Sequence, residues 1–373
     1  MRYLSPLVAA AALVAGLASP AQAEPASNRW TADVSGLSPT WGGSPRIGLI
    51  PLGTHRLARP ANAVTAAVTG DGVVDVRGLR EDGRWTEWYE TSATAPVTLP
   101  VTTSTIEARV VLSSGTAARV PVSGVTVSAT TGKAASGDVT AAAAGLAYRV
   151  YATREGLVGG TTANGHVIRS RDHFVALPSR RGLANKNSGN YSVQVCASNG
   201  RCEWAPVWDV GPWNTKDDYW NPSSTRESFK DLPQGKPEAQ AAYEDGYNGG
   251  KDGSGRKVAN PAGIDLADGT FWDGLKLTTN AWVTVTYLWT GSGPLGTVRT
   301  TDAAGTVNVR SGATSTASQV GIAANHAQVR VTCQLTGESI TGSQGTSNVW
   351  YRIASGKHIA KAYVAGVSGA ATC

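Results

Sequence analysis

The chain has 373 residues with a mildly basic balance, 33 Lys and Arg against 27 Asp and Glu, and no long basic run or basic helix of the kind that grips nucleic acid. Gly is abundant and Met occurs once, with many Thr, Val and Ser, which is the composition of a mainly β protein built from short strands and turns. The length suggests two or three domains.

Residues 1–23 read as a cleavable secretory signal. Arg2 supplies the positive start, Leu7 to Ala18 a short apolar run, and Ala21-Gln22-Ala23 the small-residue cleavage site, with the cut before Glu24. The apolar run is too short to cross a membrane, which takes about 20 residues. The expectation is a soluble, exported monomer with no integral membrane association, and loss of Arg2 leaves 32 basic residues against 27 acidic. Four cysteines suit an oxidising compartment. Cys196 and Cys202 bracket Asn199-Gly200, a tight-turn dipeptide, so a disulfide stapling a hairpin is expected there. Cys333 and Cys373 remain as the second pair. No second Cys/His cluster has zinc spacing, so neither a metal nor a cofactor is expected.

Three segments follow. Residues 24–129 contain strand patterns such as Val73–Arg77 and Ile106–Leu112, and residues 130–145 are small and polar enough for a linker. In the first segment Asp82-Gly83-Arg84-Trp85-Thr86-Glu87-Trp88-Tyr89 resembles the β-sandwich that precedes the catalytic domain of some actinobacterial peptidoglycan amidases. Trp85 and Trp88, three apart in an extended chain, fall on opposite faces, so one is expected to be core and the other either a sugar-stacking surface or an edge residue. Residues 291–373 carry Val307-Asn308-Val309-Arg310-Ser311-Gly312, then Val320-Gly321, Trp350-Tyr351-Arg352-Ile353 and Ala362-Tyr363-Val364. This succession resembles the bacterial SH3-like family, which implies a small barrel and binding of cell-wall peptides or glycans. Trp350 itself is expected to be core.

The middle segment, residues 146–290, holds Gly159 to His166, then Asp172-His173-Phe174-Val175-Ala176-Leu177-Pro178, then Trp208-Asp209-Val210-Gly211-Pro212-Trp213, then Ile264-Asp265-Leu266. In order, these resemble the double-psi β-barrel of rare lipoprotein A, expansins and related endoglucanases. The resemblance implies that Asp209 occupies the place of the active-site aspartate and Asp265 that of the closing Ile-Asp-Leu. A carboxyl beside Trp208 and Trp213 would be partly desolvated and suited to protonate a glycosidic oxygen. Trp208, Trp213, Tyr219 and Trp220 are candidates for a sugar-stacking surface. Asp265, Asp172, Asp217 or Asp218 could supply a second carboxylate. His166 stands where transglycosylase members place a Glu, and His173 is offset from its usual position; both are candidate acid–base groups, with satisfied polar residues as the plainer alternative. Asn214 to Ala262 form a long insertion, a candidate lid. Its Asp252-Gly253-Ser254-Gly255 lacks the remaining ligands of a calcium loop.

No Gly-x-Ser-x-Gly elbow, phosphate loop or zinc-protease motif is present. The expected protein is therefore a secreted or wall-associated β protein with a sandwich, a double-psi barrel and an SH3-like tail, acting on a cell-wall glycan or other polysaccharide by glycosidic cleavage. Wall binding or loosening without cleavage, as in expansins, is the alternative, and a secreted protease inhibitor is a further one.

Overall fold

A computed structural model of the chain describes residues 27–113, 122–132, 144–302 and 305–373. The signal expected at 1–23 and most of the expected linker lie outside the described residues. The protein is mainly β, with a closed six-stranded barrel and further sheets on either side.

The N-terminal part forms one antiparallel sheet from β1 (Arg29–Asp33), β2 (Thr40–Gly42), β3 (Ile47–Thr69), β4 (Val73–Gly78), β5 (Tyr89–Thr91), β6 (Val97–Ser113) and β7 (Gly124–Thr130). Its long strands β3 and β6 pair with breaks in register at Pro51/Gly53 and around Arg56 to Ala63. Such bulges bend strands, and Val64, Val76, Leu99, Ile106 and Val110 share one core against this sheet. Of the two tryptophans Trp88 is buried and Trp85 half-buried, and the Arg77 guanidinium lies over both rings.

The barrel strands are β8 (Leu146–Arg154), β9 (Val175–Leu177), β10 (Ser192–Cys196), β11 (Cys202–Val210), β12 (Ala262–Leu266) and β13 (Ala281–Tyr287). Around the barrel the order is β10, β13, β8, β12, β9, β11 and back to β10. β8/β12 and β9/β11 are parallel and the other four pairs antiparallel. Exchanging β8, β9 and β10 with β11, β12 and β13 reproduces both the circular order and the sense of every pair. The barrel thus has an internal two-fold topology. Its interior is filled by Val150, Phe174, Leu177, Val193, Val207, Ile264 and Val285.

The tail comprises β14 (Leu295–Val298), β15 (Thr306–Arg310), β16 (Gln319–Ala324), β17 (Gln328–Arg330), β18 (Cys333–Gly342), β19 (Gly345–Ala354), β20 (Lys357–Ala360) and β21 (Val364–Ala365). Trp350 is buried and donates its indole N–H to the Glu338 carbonyl, as a core residue should. The tail is joined to the barrel by more than a connection, because β16 pairs in parallel with β11 and the sheet runs unbroken from one to the other.

The N-terminal sheet is also clamped to the barrel. Arg180, just after β9, reaches Asp75 and Glu90, and Arg109 donates both to Asp75 and to the Arg180 carbonyl. Buried Glu87 accepts from the indoles of Trp220 and Trp289.

Both expected disulfides are present. Cys196 and Cys202 face each other across the β10–β11 pair, with Asn199-Gly200 turning the chain. Cys333–Cys373 ties the last residue to the start of β18. The hairpin bond closes only a short loop, so its removal as Cys196→Ser/Cys202→Ser is expected to cost about 2 kcal/mol. Urea denaturation of the variant under non-reducing conditions measures this. None of the described helices is long and apolar enough to cross a membrane.

Candidate functional site

A cavity of about 310 Å³ opens at one end of the barrel. Its chemistry starts from Ala176 in the short central strand β9, which is the register partner of Asp209 on one side and of Asp265 on the other. Two inter-strand steps place the Asp209 and Asp265 backbones about 10 Å apart. Both side chains line the cavity, with Ala176 as the small residue between them. The parallel partners β9 and β11 slip by one residue between Val207 and Asp209, and a bulge of this kind re-aims the side chain that follows it.

Asp209 is buried and tightly held. Its Oδ1 accepts from the backbone N–H of Ala163 at 2.7 Å and of Val210 at 2.8 Å. The β2–β3 turn of the N-terminal sheet closes over it: Gly43 has φ +83°, and a Cβ there would stand 3.0 Å from Asp209 Oδ1. Ser44 from the same turn lines the cavity.

Glu155 is the site residue that sequence reasoning missed. It directly follows β8, and both its carboxyl oxygens are buried without an N–H or O–H donated to them. It lies beside the Asp209 carboxyl, close enough for the two groups to titrate together. Two carboxyls attract only with a proton between them. Burial first, and then the neighbouring Asp209 and Asp265 charges, push the Glu155 pKa well up, so Glu155 holds the proton. Burial also lifts Asp209, to about 6, against the opposing hydrogen bonds from Glu155 and the two amides. Asp265 accepts the Thr153 hydroxyl, and burial followed by the Asp209 charge carries it to about 7. The three carboxyls therefore differ in role: Asp209 ionises first, while Glu155 and Asp265 retain protons.

This assignment has a sign for stability. A carboxyl raised from 3.8 to about 7 on folding binds its proton more tightly in the native state, so its contribution is full at low pH and is lost as pH rises through about 7. The melting temperature is accordingly expected to fall between pH 5 and 8 more steeply in the parent protein than in Asp265→Asn, as measured by differential scanning fluorimetry.

Trp213 is the aromatic residue that lines this cavity. Its indole N–H donates to Asn260, and Arg256 lies over its ring. Arg256 is itself fixed by Asp252, whose carboxylate also accepts from Ser254; the Asp252 turn thus holds an arginine.

The other expected residues lie elsewhere. Tyr219 and Trp220 are completely buried, Trp220 stacked on Tyr287 and edge-on to Trp289 and Tyr219 edge-on to Tyr287, and they present no face to a sugar. This corrects the expectation of a stacking surface there: in a β-rich chain these rings fill space between the barrel and the N-terminal sheet. Asp217 pairs with Arg226 and Asp218 with Arg181, and the two aspartates are fully buried. Trp208 points away from its neighbour Asp209 and, with His166, His173 and Asp172, lines a different cavity. His166 contacts Asp172 at 2.7 Å and His173 contacts Glu203 at 3.0 Å, so neither histidine faces the carboxyl cluster.

The long insertion is folded rather than a loose flap. It holds α1 (Glu238–Asp245), ended by Gly246 at φ +69°, and it supplies Arg256 and Asn260 to the cavity wall.

A family model described as a domain of unknown function (DUF8814) matches residues 146–286, which runs from the start of β8 to within one residue of the end of β13 and so takes in the barrel strands and the insertion. No curated protein matches the chain.

Proposed function

We propose that this protein cleaves glycosidic bonds of a polysaccharide outside the cell, with the barrel as its catalytic unit. One observation carries this reading: two proton-handling groups, the Asp209–Glu155 pair and Asp265, line one cavity from opposite sides of Ala176. Asp265, protonated below about 7, serves as the acid that protonates the leaving oxygen. Asp209, held ionised by two amides and the Glu155 proton, takes the proton of an attacking water. Their closeness excludes Asp209 and Glu155 from being the two separated carboxyls, which need roughly 5 Å or more between them. They act as one unit. Trp213 offers a ring at the cavity rim against which a sugar face can lie.

The internal two-fold of the barrel, with its two parallel pairs, supports the double-psi reading of this domain. The packed core around Val309, Val329 and Ile359 supports reading the tail as an SH3-like wall-binding module. The two disulfides support an oxidising destination at the outside of a bacterial wall.

The test is to incubate the mature protein with purified peptidoglycan, chitosan and cellulose and to mass the released fragments. New reducing ends are expected, and the rate should follow a bell between about pH 6, where Asp209 ionises, and about pH 7, where Asp265 loses its proton. Anhydro ends would replace the attacking water by the sugar's own hydroxyl. Polymer binding without fragments would replace cleavage by expansin-like loosening, and neither binding nor fragments would leave protease inhibition as the reading to pursue.

A further inference from the structure

The second cavity lies where the barrel meets the tail and encloses about 200 Å³. The barrel supplies His166, Arg169, Asp172, His173, Lys186 and Trp208, and the tail supplies Gly305, Asn325 and His326. Its charge is one-sided. Asp172 is the carboxylate in the lining, and its Oδ2 is already occupied by the His166 ring and the Arg169 backbone N–H at 2.6 Å. Glu203 sits behind His173, fully buried, and takes the Nδ1 side of that imidazole, leaving its other nitrogen for the cavity. Arg299 meets Nδ1 of His326 at 2.9 Å. An arginine only donates, so His326 is neutral with its proton on the other nitrogen. The Arg169 and Lys186 side chains are exposed and make no ion pair with any described carboxylate.

We propose that this cavity is a binding site for a small anionic group, a carboxylate or a phosphate, held by Lys186 and Arg169 and by the imidazole N–H of His326, with the His173 ring beside them. Donors from two parts of the chain converge there, and the one carboxylate in the lining, Asp172, already accepts from His166 and from the Arg169 backbone. The volume is below the usual 300 Å³ or more of a drug-sized site, so it suits one charged group with its immediate carbon skeleton. Trp208 forms an apolar wall, stacked near Phe174 and with its N–H spent on the Ser188 carbonyl, so it adds contact area without competing for the anion. The proposal is independent of the glycan reading, because none of these residues lines the carboxyl cavity.

Isothermal titration of the full mature protein separates the sources of such an anion. The probes are inorganic phosphate, N-acetylmuramic acid, and its uncharged counterpart N-acetylglucosamine. Binding of at least one anion and not of the uncharged sugar is expected. Affinity should fall about tenfold or more in Lys186→Met and in Arg169→Met, as for loss of one charge-assisted hydrogen bond. Both side chains are exposed, so the variants should melt with the parent; His326→Phe provides a third, tail-side variant. Binding of phosphate alone assigns a phosphate-bearing ligand, and binding of the acidic sugar alone a sugar carboxylate. The proposal is overturned if neither anion binds, if the uncharged sugar binds as well as the acidic one, or if the variants bind like the parent.

Discussion

Asp209→Asn is expected to slow polymer cleavage by roughly 100- to 10,000-fold, the range for loss of a positioned acid–base group, while leaving the fold in place. Asn retains an oxygen for the amides of Ala163 and Val210, so the two backbone donors keep their acceptor. What disappears is the charge that draws the Glu155 proton. Glu155 then loses one of the neighbours that lift its pKa and titrates lower, so any residual activity should also lose its acidic limb near pH 6. Glu155→Gln tests the partner differently. Its amide can still donate to Asp209, so a smaller loss, about tenfold, is expected together with a moved pH profile. Rates from reducing-end release across pH 4 to 9, with circular dichroism to verify folding, decide the matter. A full rate in Asp209→Asn would make this carboxyl a structural anchor of the Thr162–Asn164 loop and nothing more.

The largest loss of stability is expected from Arg226→Ala, about 3–5 kcal/mol, because it leaves a buried acid without its counter-ion. Arg226 and Asp217 are both fully buried. Arg226 donates to Asp217 and to the Lys236 carbonyl, while the other Asp217 oxygen caps the Glu238 amide at 2.7 Å. Burial holds Asp217 at about 6 even with the arginine present. A segment with one eight-residue helix has little apolar core of its own, Ala239, Ala242 and Val258 beside Trp213, so this pair is its central fastening. The double replacement Arg226→Met/Asp217→Leu should recover much of the loss, since two apolar groups of similar size need no partner. Urea denaturation measures both. Equal losses for the single and double variants would show that packing, and not charge pairing, governs this segment.

The sequence made some of this architecture readable and left the rest hidden for physical reasons. Asn199-Gly200 between two cysteines specifies a hairpin and its staple locally, because a tight turn fixes which residues oppose each other. Asp209 and Asp265 could be picked out by the residues around them. Glu155 could not: it has no motif, and it nears Asp209 only because β8 ends beside β12, with β9 and β11 next around the closed barrel. A signal did exist in retrospect, an acid at the end of a strand followed by Gly156. Tyr219 and Trp220 illustrate the opposite error, since a cluster of aromatics reads the same whether it lines a surface or fills a core. The pairing of β16 with β11 was equally invisible, because parallel partners far apart in the chain leave no local pattern.

The Gly43–Ser44 turn has a consequence for what counts as the working unit. It belongs to the N-terminal sheet, yet it forms a wall of the carboxyl cavity. The segment 146–286, matched as a family, therefore contains every ionisable group of the proposed reaction but not the lid that keeps Asp209 dry. Excised, it would bring the reagents without the vessel: solvent would reach Asp209, its acidity would drift back toward that of an ordinary aspartate, and the division of labour among the three carboxyls would fade.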